Sequence, residues 1–333
     1  MAAYTTIDNP ELYFQTKLYT GDASATSHTL DGDENMQPDL AWFKSRSRSD
    51  NSRIVDALRG TNSIKSNTDD AEVDSGSDGF TSLDSDGFTL NGSGGGGEFN
   101  AASGTYVTWC WKESATSGFD IVTYTGNGSN RDISHSAGAA PHWMMVKNRT
   151  GSDRAWNCYH DGLGADKRIF INTTDSVSTS TTSFTDAPTA SVMKLGTNTE
   201  VNENTTTYVA YVFAPIQGFS KFGSYTGNGN ANGTFVYTGF RPAYVICKNT
   251  SGTGNWGIKT AKSQAYNGAD VTLFANSTGA ESAFSDNKVD LLSNGFKILT
   301  ASSDFNTSGS TYIYMAFAEA PFVNSNEVPC NAR

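Results

Sequence analysis

The sequence predicts an all-β protein made of three tandem β-sandwich domains, of the jelly-roll or lectin-like kind, with about 100 residues each. Short runs of Val, Ile, Tyr, Phe, Trp and Thr are bounded by Gly, Asn, Asp and Ser, and no long stretch keeps a helical period. Three motifs recur in the same order, about 100 residues apart. The 19 Phe, 14 Tyr and 6 Trp supply buriable surface although only 37% of the chain is hydrophobic, so we expect a folded protein.

The first motif is a Tyr-Thr-Gly turn beginning at Tyr19, Tyr124 and Tyr225, extended to Tyr-Thr-Gly-Asn-Gly in the second and third copies. Asn and Gly permit the positive φ angles of tight connections, so a structural turn is the favoured interpretation. The same groups also form a surface that stacks on a sugar ring and bonds its hydroxyls. That alternative makes Tyr124, Asn127, Tyr225 and Asn228 candidate contacts to a glycan or to another subunit.

The second motif is a proline followed six residues later by Lys44, Lys147 or Lys248, with an apolar run between them. The proline suits the first position of a strand, where its missing N–H is tolerated. Each lysine either faces a polyanion or an acidic neighbouring subunit, or ends a buried strand and lays its stem on the sheet, which is favoured. Trp156 and Trp256 follow the second and third lysines closely and are predicted to be core side chains.

The third motif is an aromatic run that closes each unit and is preceded at six residues by an asparagine. In the first copy, alternate residues place Val107, Trp109 and Trp111 on one face, the period-2 pattern of a strand. In the other copies both faces are mostly apolar, which indicates a central strand covered on both sides. The runs are residues 106–111, 208–213 and 312–317, and the asparagines are Asn100, Asn202 and Asn306.

These motifs divide the chain into residues 1–114 with a short N-terminal arm, 115–216, and 217–333 with a short C-terminal tail. A unit of about 100 residues is large enough to carry its own core, so we expect each sandwich to fold when it is cut from its neighbours. The joins are only a few residues long, which predicts contact between neighbouring units.

Composition excludes several classes. A net charge of -11 and a pI near 4.8 argue against a nucleic-acid partner, which requires clustered Lys and Arg. There is no basic and apolar leader and no apolar stretch long enough to span a bilayer, so export and membrane insertion are not expected. The cysteines lack the spacing of a disulfide framework or zinc knuckle and are predicted to be packed thiols: Cys110, Cys158, Cys247 and Cys330.

No catalytic, metal-binding or cofactor-binding residue is predicted. The four histidines, His28, His135, His142 and His160, are not repeated between units and lack ligand spacing, and no nucleophile elbow or phosphate loop is present. We therefore expect a protein that is not an enzyme. A glycan depolymerase stays an alternative, because sequence separation does not show whether two carboxylates lie at the distance that glycoside hydrolysis requires.

Three acidic turns raise the alternative of a structural Ca²⁺ ion, which takes oxygen ligands. None of them matches an EF-hand loop, and Asp, Ser and Gly are ordinary turn formers before the strands expected at Phe80 and Phe88. The turn interpretation is favoured. The segments are residues 31–33, 74–78 and 84–87.

With these motifs in place, the chain resembles, over nearly its whole length, a repeated β-sandwich domain of virion proteins from marine and other aquatic tailed bacteriophages. That domain is often named only as one of unknown function or as a tail-fibre protein. The most recognisable segments are residues 12–21, 34–46, 218–229 and 311–319. The resemblance implies a lectin-like sandwich on the exterior of the tail or capsid, made in the cytoplasm of the host bacterium.

The resemblance also implies partners: other virion proteins, further copies of the chain in a homo-oligomer (a trimer by analogy), and a host surface glycan. We expect a structural protein associated with the tail or its fibres, with receptor binding as part of its role. Fibre proteins often begin with a tail-anchoring domain, whereas this chain enters its first repeat by about residue 12. A capsid decoration protein is therefore the alternative function.

Overall fold

The predicted all-β class is confirmed, since antiparallel strands make up nearly all of the regular structure. The computed structural model describes residues 4–92, 96–264, 267–283 and 287–330. The first three residues of the predicted N-terminal arm and the last three of the predicted tail lie outside these ranges. Among the residues within them, no helix has the length and apolar character needed to cross a membrane.

The first repeat forms a six-stranded sheet in the order β1-β9-β3-β4-β5-β6 and a small sheet in the order β2-β8-β7. Short 3-10 turns lie at Pro10–Leu12 and Gly96–Glu98. The strands are β1 (Phe14–Thr20), β2 (Thr26–His28), β3 (Leu40–Ser45), β4 (Arg53–Asp56), β5 (Asn62–Lys65), β6 (Val73–Asp74), β7 (Phe80–Asp84), β8 (Gly87–Leu90) and β9 (Thr105–Trp111).

The second repeat has the same large sheet, β10-β17-β12-β13-β14-β15, and a small sheet of β11 and β16. One helical turn, α1 (Thr199–Asn202), precedes the closing strand. The strands are β10 (Phe119–Thr125), β11 (Arg131–Ser134), β12 (Trp143–Asn148), β13 (Asn157–His160), β14 (Lys167–Phe170), β15 (Ser178–Thr179), β16 (Val192–Leu195) and β17 (Thr207–Phe213).

The third repeat again has a large sheet, β18-β26-β20-β21-β22-β23, with a small sheet in the order β19-β25-β24. The strands are β18 (Ser220–Thr226), β19 (Phe235–Tyr237), β20 (Phe240–Asn249), β21 (Gly257–Thr260), β22 (Val271–Phe274), β23 (Ser282–Ala283), β24 (Val289–Leu292), β25 (Gly295–Ile298) and β26 (Thr311–Pro321). Each large sheet thus draws its strands from one of the three predicted segments.

The proline of the second motif has two different environments. Pro38 and Pro141 lie just before β3 and β12, as expected for a residue without an N–H. Pro242 instead lies inside β20, where the register with β26 shifts on both sides of it. The irregular pairing accommodates the missing donor, because a regular ladder would require it.

Each large sheet is covered on both faces. Its outer face packs on the small sheet of the same repeat, and in the first repeat Phe43 contacts Phe88 at 4.8 Å between ring centroids. Separate apolar clusters occupy the corresponding spaces of the other two repeats. The inner faces of all three large sheets meet in a fourth cluster, the shared core, which contains all six tryptophans.

A pseudo-threefold axis runs through the shared core. The last aromatic residues of the three closing strands, Trp111, Phe213 and Phe317, contact one another in every pair. Their ring centroids lie 6.2, 5.6 and 5.8 Å apart. Three equivalent residues in mutual contact require that the three repeats surround a common axis, so the chain is a closed ring of three sandwiches.

The chain ends reinforce the contact between the first and third repeats. Thr5 Oγ1 donates to Gln217 O at 2.8 Å, which holds the N-terminal arm on the third repeat. Farther along the arm, the Asp8 carboxylate accepts from the backbone N–H of Ser325 at 2.7 Å. The segment before the first repeat and the segment after the last one are therefore joined directly.

Candidate functional site

The tyrosines proposed as glycan contacts are part of the sandwich. Tyr124 stacks on Tyr208 with 5.2 Å between ring centroids, and Tyr225 stacks on Tyr312 with 5.0 Å. Their hydroxyls donate to backbone carbonyls at 2.6 and 2.8 Å. Tyr225 is only 7% exposed. These bonds support the turn interpretation over a sugar platform, because the hydroxyls are already used within the fold.

Asn127 and Asn228 lie in exposed turns, and each side-chain oxygen accepts from the backbone N–H two residues later at 3.0 Å. Such Asx turns mimic a backbone turn and fix the loop. Their own backbone N–H groups donate to Asn202 and Asn306, at 2.9 and 2.8 Å. The two candidates therefore shape the loops, and their exposed position does not by itself form a ligand site.

The asparagine that precedes each closing strand has a role that the sequence alone did not reveal. The amide of Asn202 is completely buried and donates to Ser129 O at 2.6 Å and Gly196 O at 2.8 Å. Asn306 makes the equivalent bonds to Asn230 O and Thr300 O. We call this arrangement the asparagine clasp, since it joins the Tyr-Thr-Gly turn to the segment before the closing strand.

The aligned lysines were candidates for a glycan, polyanion or separate-subunit contact, and their burial contradicts a surface role. All three are 0% exposed. Each ammonium donates a hydrogen bond to a backbone carbonyl of a neighbouring repeat in the same chain. The acceptors are Ser277 O for Lys44 (2.7 Å), Asp69 O for Lys147 (3.0 Å) and Thr174 O for Lys248 (2.9 Å).

Burial lowers the pKa of each of these lysines to about 8, because the charged form loses solvation. Two residues after each lysine, a backbone hydrogen bond also crosses between repeats. These bonds run from Glu281 N to Arg46 O, from Glu72 N to Arg149 O and from Val177 N to Thr250 O. The lysine motif therefore marks three equivalent junctions.

The prediction that Trp156 and Trp256 are core residues is confirmed, since both belong to the shared core and are almost completely buried. Each indole also donates across a junction. Trp156 Nε1 bonds Lys65 O at 2.8 Å, and Trp256 Nε1 bonds Phe170 O at 2.9 Å. A buried indole keeps its donor satisfied in this way, so the two residues both pack and join the repeats.

The cysteine prediction holds for three residues and is wrong for the fourth. Cys110, Cys158 and Cys247 are buried free thiols whose pKa is raised by burial, in Cys247 to about 12. Cys330 is exposed, because it lies in the C-terminal tail beyond the last strand. A raised pKa disfavours the thiolate, so the buried thiols have the character of packing groups.

The buried histidines are bonded to the backbone. His160 Nε2 lies 3.3 Å from Tyr314 O across the contact between the second and third repeats, and burial lowers its pKa to about 4. His135 Nε2 lies 3.0 Å from Thr189 O. Within the described ranges, no group of three or more His, Cys, Asp or Glu side chains is placed to hold a metal ion.

The acidic turns considered for Ca²⁺ make local hydrogen bonds. Asp74 accepts from Gly76 N at 2.9 Å and from Thr61 Oγ1 at 2.8 Å. Asp84 accepts from Ser82 and Thr89 hydroxyls at 2.7 and 2.6 Å. These bonds support the turn interpretation for residues 74–78 and 84–87. In the third segment, Asp31 forms an ion pair with Lys17 of β1.

A pair of carboxyl groups lies where the first repeat meets the second. Glu113 shares a side-chain hydrogen bond with Asp120, and burial together with this neighbour raises the pKa of Glu113 to about 8. Hydrogen-bonded carboxyls are closer than the roughly 5 Å of retaining and 6.5 Å of inverting glycosidases. The pair is therefore suited to sharing a proton within the fold rather than to flanking a glycosidic bond.

A concave site of about 270 Å³ lies at the contact between the first and third repeats and is here called the junction pocket. Glu11, Phe14, Gln15 and Thr16 of the first repeat form one side. The third repeat forms the other side with Arg241, Ala243, Ala261, Lys262, Ala318 and Glu319. Its lining combines apolar side chains with a few polar ones, which is the usual composition of a small-molecule site.

The polar walls of the junction pocket are held in place by internal contacts. Arg241 Nε lies 2.7 Å from Glu319 Oε2. The Gln15 amide donates to Glu11 O at 2.9 Å and accepts from Gly32 N at 2.9 Å. Such contacts fix the orientation of the groups that face the cavity, so they are preorganised for a ligand.

Thr16 is the residue that distinguishes this junction from the others. It pairs with Trp109 in the sheet, and the equivalent residues, three before each repeated tyrosine, are Ile121 and Phe222 of the shared core. The Thr16 hydroxyl is buried and has no hydrogen-bond partner. Alignment of the three repeats in the sequence could have identified Thr16, because it has a hydroxyl where the other two repeats have an apolar side chain.

A second, more open cleft of about 400 Å³ lies where the N-terminal arm meets the third repeat. Tyr4, Lys221 and Tyr237 contribute to its wall. Tyr237 is 49% exposed, but the Lys221 ammonium lies 5.1 Å from its ring centroid. One aromatic face is therefore already covered, which makes this cleft the weaker candidate for stacking on a ligand.

A family profile described as a domain of unknown function (DUF7483) matches residues 9–321 of the chain. No curated protein and no solved structure matches the chain. The matched span begins before the first large sheet and ends with the last residue of β26, so it includes every residue of the junction pocket.

Proposed function

The chain belongs to the DUF7483 family, a domain of unknown function, and we propose that it is a structural protein exposed on a bacteriophage particle. In this proposal it is attached to the tail or its fibres and contacts a host surface glycan. The motifs that resemble those of phage virion proteins supply the particle context.

The observation that carries the proposal is the closed, pseudo-threefold body around a shared core. Repeated polar residues are used inside this body: the lysines bond across the junctions, and the clasp asparagines fix the loops. Side chains that are committed to internal bonds stiffen a molecule. A rigid body with a preorganised pocket is suited to a structural and binding role.

The pseudo-threefold symmetry suggests how such a protein attaches to the particle. A body with three equivalent sides presents three similar surfaces to a partner on its axis, so one copy matches a threefold-symmetric partner such as a trimeric fibre. Assembly of three chains into a homotrimer is a separate proposal. Sedimentation of the purified chain distinguishes these two proposals. A monomer supports the binding of single copies on the axis of a threefold-symmetric partner, and a trimer supports the homotrimer.

Capsid decoration is the second candidate, and the same symmetry favours it, since threefold positions also occur on icosahedral shells. Electron cryomicroscopy of intact virions, combined with quantitative mass spectrometry of the particle, tests both. Density at the tail with a few copies supports the first proposal, and density on the shell with hundreds of copies supports the second. Absence of the protein from purified particles would contradict both.

A further inference from the structure

We propose that the outer face of β19, in the small sheet of the third repeat, is a platform on which two adjacent sugar rings of a glycan chain stack. Phe235 and Tyr237 form this platform, here called the aromatic platform. The inference gives a place and a mode of binding to the glycan contact proposed above, and it rests on that proposal for its biological meaning.

The two aromatic side chains of the platform are exposed side by side. Phe235 is 44% exposed and Tyr237 is 49% exposed, whereas Val236 between them is buried. Alternate residues of a strand point to the same face and lie about 7 Å apart. The two rings are therefore neighbours on the outside of the small sheet.

The other two repeats have polar residues at both positions. The three small sheets contain the same edge strand, so the pairing with the next strand identifies equivalent residues directly. Because two repeats form this sheet with polar residues outside, the fold itself does not require aromatic ones there. An exposed aromatic ring is unfavourable in water, so its presence in the third repeat indicates a contact surface. The equivalents of Phe235 are Ser27 and Asp132, and those of Tyr237 are Thr29 and Ser134.

Contacts within the chain hold both rings in place. Gly295 lies opposite Tyr237 in the sheet, and a Cβ atom on it would lie 3.1 Å from two carbon atoms of the Phe235 ring. The Phe235 ring therefore packs against the backbone at Gly295. The Tyr237 hydroxyl lies 3.3 Å from that of Tyr4, and the Lys221 ammonium covers one face of the Tyr237 ring. Rings that are fixed before binding lose little conformational entropy when a ligand arrives.

The area of the platform favours sugar rings over a protein partner. A large aromatic side chain offers about 150 to 250 Å² for burial, so the exposed parts of the two rings amount to roughly 200 Å². A stable protein interface covers about 800 Å² on each partner. A pair of sugar rings matches the smaller area.

The chemistry of the surrounding face also suits a sugar. One face of a pyranose ring presents C–H groups, which pack on the electron-rich face of an aromatic ring and leave the hydroxyls at the edge. Lys297 and Asp290 continue the row that begins with Phe235 across the sheet. The lysine supplies donors, and the carboxylate has acceptor capacity beyond its bond from Gly268 N at 2.6 Å. The row therefore combines a stacking surface with groups that bond hydroxyls.

The test titrates the full chain with soluble hexasaccharides of β-linked glucose, β-linked N-acetylglucosamine and α-linked mannose, and with purified O-chains of bacterial lipopolysaccharide. Saturation-transfer NMR and calorimetry measure binding. At least one of these glycans is expected to bind with a dissociation constant on the order of 0.1 to 1 mM. Because the platform spans two rings, a disaccharide of that glycan should bind more tightly than its methyl monosaccharide. Binding of none of the glycans would overturn the inference.

The decisive variants are Phe235→Ser and Tyr237→Ser, which introduce polar residues as in the other repeats. Each should fold like the wild type and bind the glycan about tenfold more weakly, because a sugar ring covers on the order of 50 Å² of apolar ring surface. Phe235→Tyr keeps an aromatic face and should keep the affinity. Leu58→Ser is the control, since it removes a 55% exposed apolar side chain from the first repeat. Equal binding by the wild type and both serine variants would place the glycan elsewhere and overturn the inference.

Sedimentation of the same variants tests whether this face joins two copies of the chain. The platform predicts that Phe235→Ser and the wild type have the same oligomeric state. An oligomeric wild type that becomes monomeric in Phe235→Ser would show that the ring belongs to a subunit interface, which would overturn the glycan platform.

Localisation and glycan binding fail independently. A chain that binds glycans through Phe235 but is absent from virions would retain this site and lose the proposed particle role. A virion protein whose purified chain binds none of the glycans would retain the particle role and lose the site.

Discussion

At the residue scale, the structure explains why a few polar residues recur. The repeated asparagines and lysines are buried, and their bonds lead to loops or repeats that are distant in sequence. Buried polar groups are tolerated when every donor and acceptor is hydrogen-bonded. Removing one such side chain leaves its former partners buried without a hydrogen bond, which costs stability. The sequence showed that these residues recur, but their partners depend on the fold.

The asparagine clasp is testable with Asn202→Ala. The variant leaves Asn127 N, Ser129 O and Gly196 O without their partner, so we expect a loss of about 2 to 3 kcal/mol in the free energy of unfolding. Chemical denaturation followed by tryptophan fluorescence measures it. Exposed Asn204→Ala is the matched control, and equal stability of the two variants would contradict the clasp.

The lowered pKa values of the buried lysines predict that the stability of the fold depends on pH. Lys147→Met should remove the part of this dependence that comes from Lys147. The pKa of Lys147 is about 8 in the folded chain and 10.5 ordinarily, so between these values the unfolded chain binds more protons. The wild type therefore gains stability from this group as the pH rises from 8 towards 10, by up to about 3 kcal/mol. Thermal melting at pH 7.5, 8.5 and 9.5 should show the variant losing stability relative to the wild type, and a constant difference would refute the effect.

The raised pKa of Glu113 predicts the opposite trend at lower pH, a loss of stability as the pH rises. Its pKa is raised to about 8 from an ordinary 4.5, so its contribution to stability is present below pH 4.5 and is lost as the pH rises through 8. Glu113→Gln removes the ionisation and should gain stability relative to the wild type between pH 5 and 8.5. Melting temperatures across this range test the trend, with exposed Glu34→Gln reporting the effect of removing a carboxyl elsewhere. If the melting temperature of Glu113→Gln fell relative to that of the wild type as the pH rises, the prediction would be contradicted.

At the element scale, the central position of the closing strands accounts for their composition. β9, β17 and β26 each lie between the first strand of the repeat and the strand that carries the lysine. One face packs on the small sheet and the other on the shared core, so both faces require apolar residues. The sequence predicted a covered central strand, but the apolar runs did not reveal that one cover comes from the other repeats.

The glycine of the Tyr-Thr-Gly turn is required by a close approach between elements. A Cβ atom on Gly126 would lie 2.1 Å from Glu203 O, in the segment between α1 and β17. Gly126→Ala should therefore lower the free energy of unfolding by about 1 to 3 kcal/mol, as overpacking does. Gly252→Ala is the control, since its nearest neighbour would be 3.8 Å away. Comparable denaturation midpoints for both variants would contradict the steric reason.

At the scale of the whole molecule, the shared core ties the three repeats together. All six tryptophans and the Trp111, Phe213 and Phe317 cluster lie where the inner sheet faces meet. Burial of apolar area is the main stabilising term in folding. A sandwich cut from the ring would expose its inner face, so the common core changes the expectation that a single repeat folds alone.

The isolated segment 217–333 tests this coupling. Its inner face carries Tyr244, Trp256 and Phe317, which would be exposed to solvent in the fragment. We expect the fragment to self-associate or to lose cooperative thermal unfolding, whereas the full chain should unfold in one transition. Calorimetry and size-exclusion chromatography measure both. A monomeric fragment with a sharp transition would show that the repeat's own sandwich core is sufficient.

The sequence by itself determined the β class and the three repeated strand patterns, because alternation and turn residues are local signals. It also indicated Trp156 and Trp256 as core residues. Only the tertiary structure decided that the lysines join neighbouring repeats, that the tyrosine hydroxyls are bonded internally and that a pocket opens beside Thr16. These features depend on which faces meet around the pseudo-threefold axis, and that arrangement follows from the burial of three inner sheet faces in a common core.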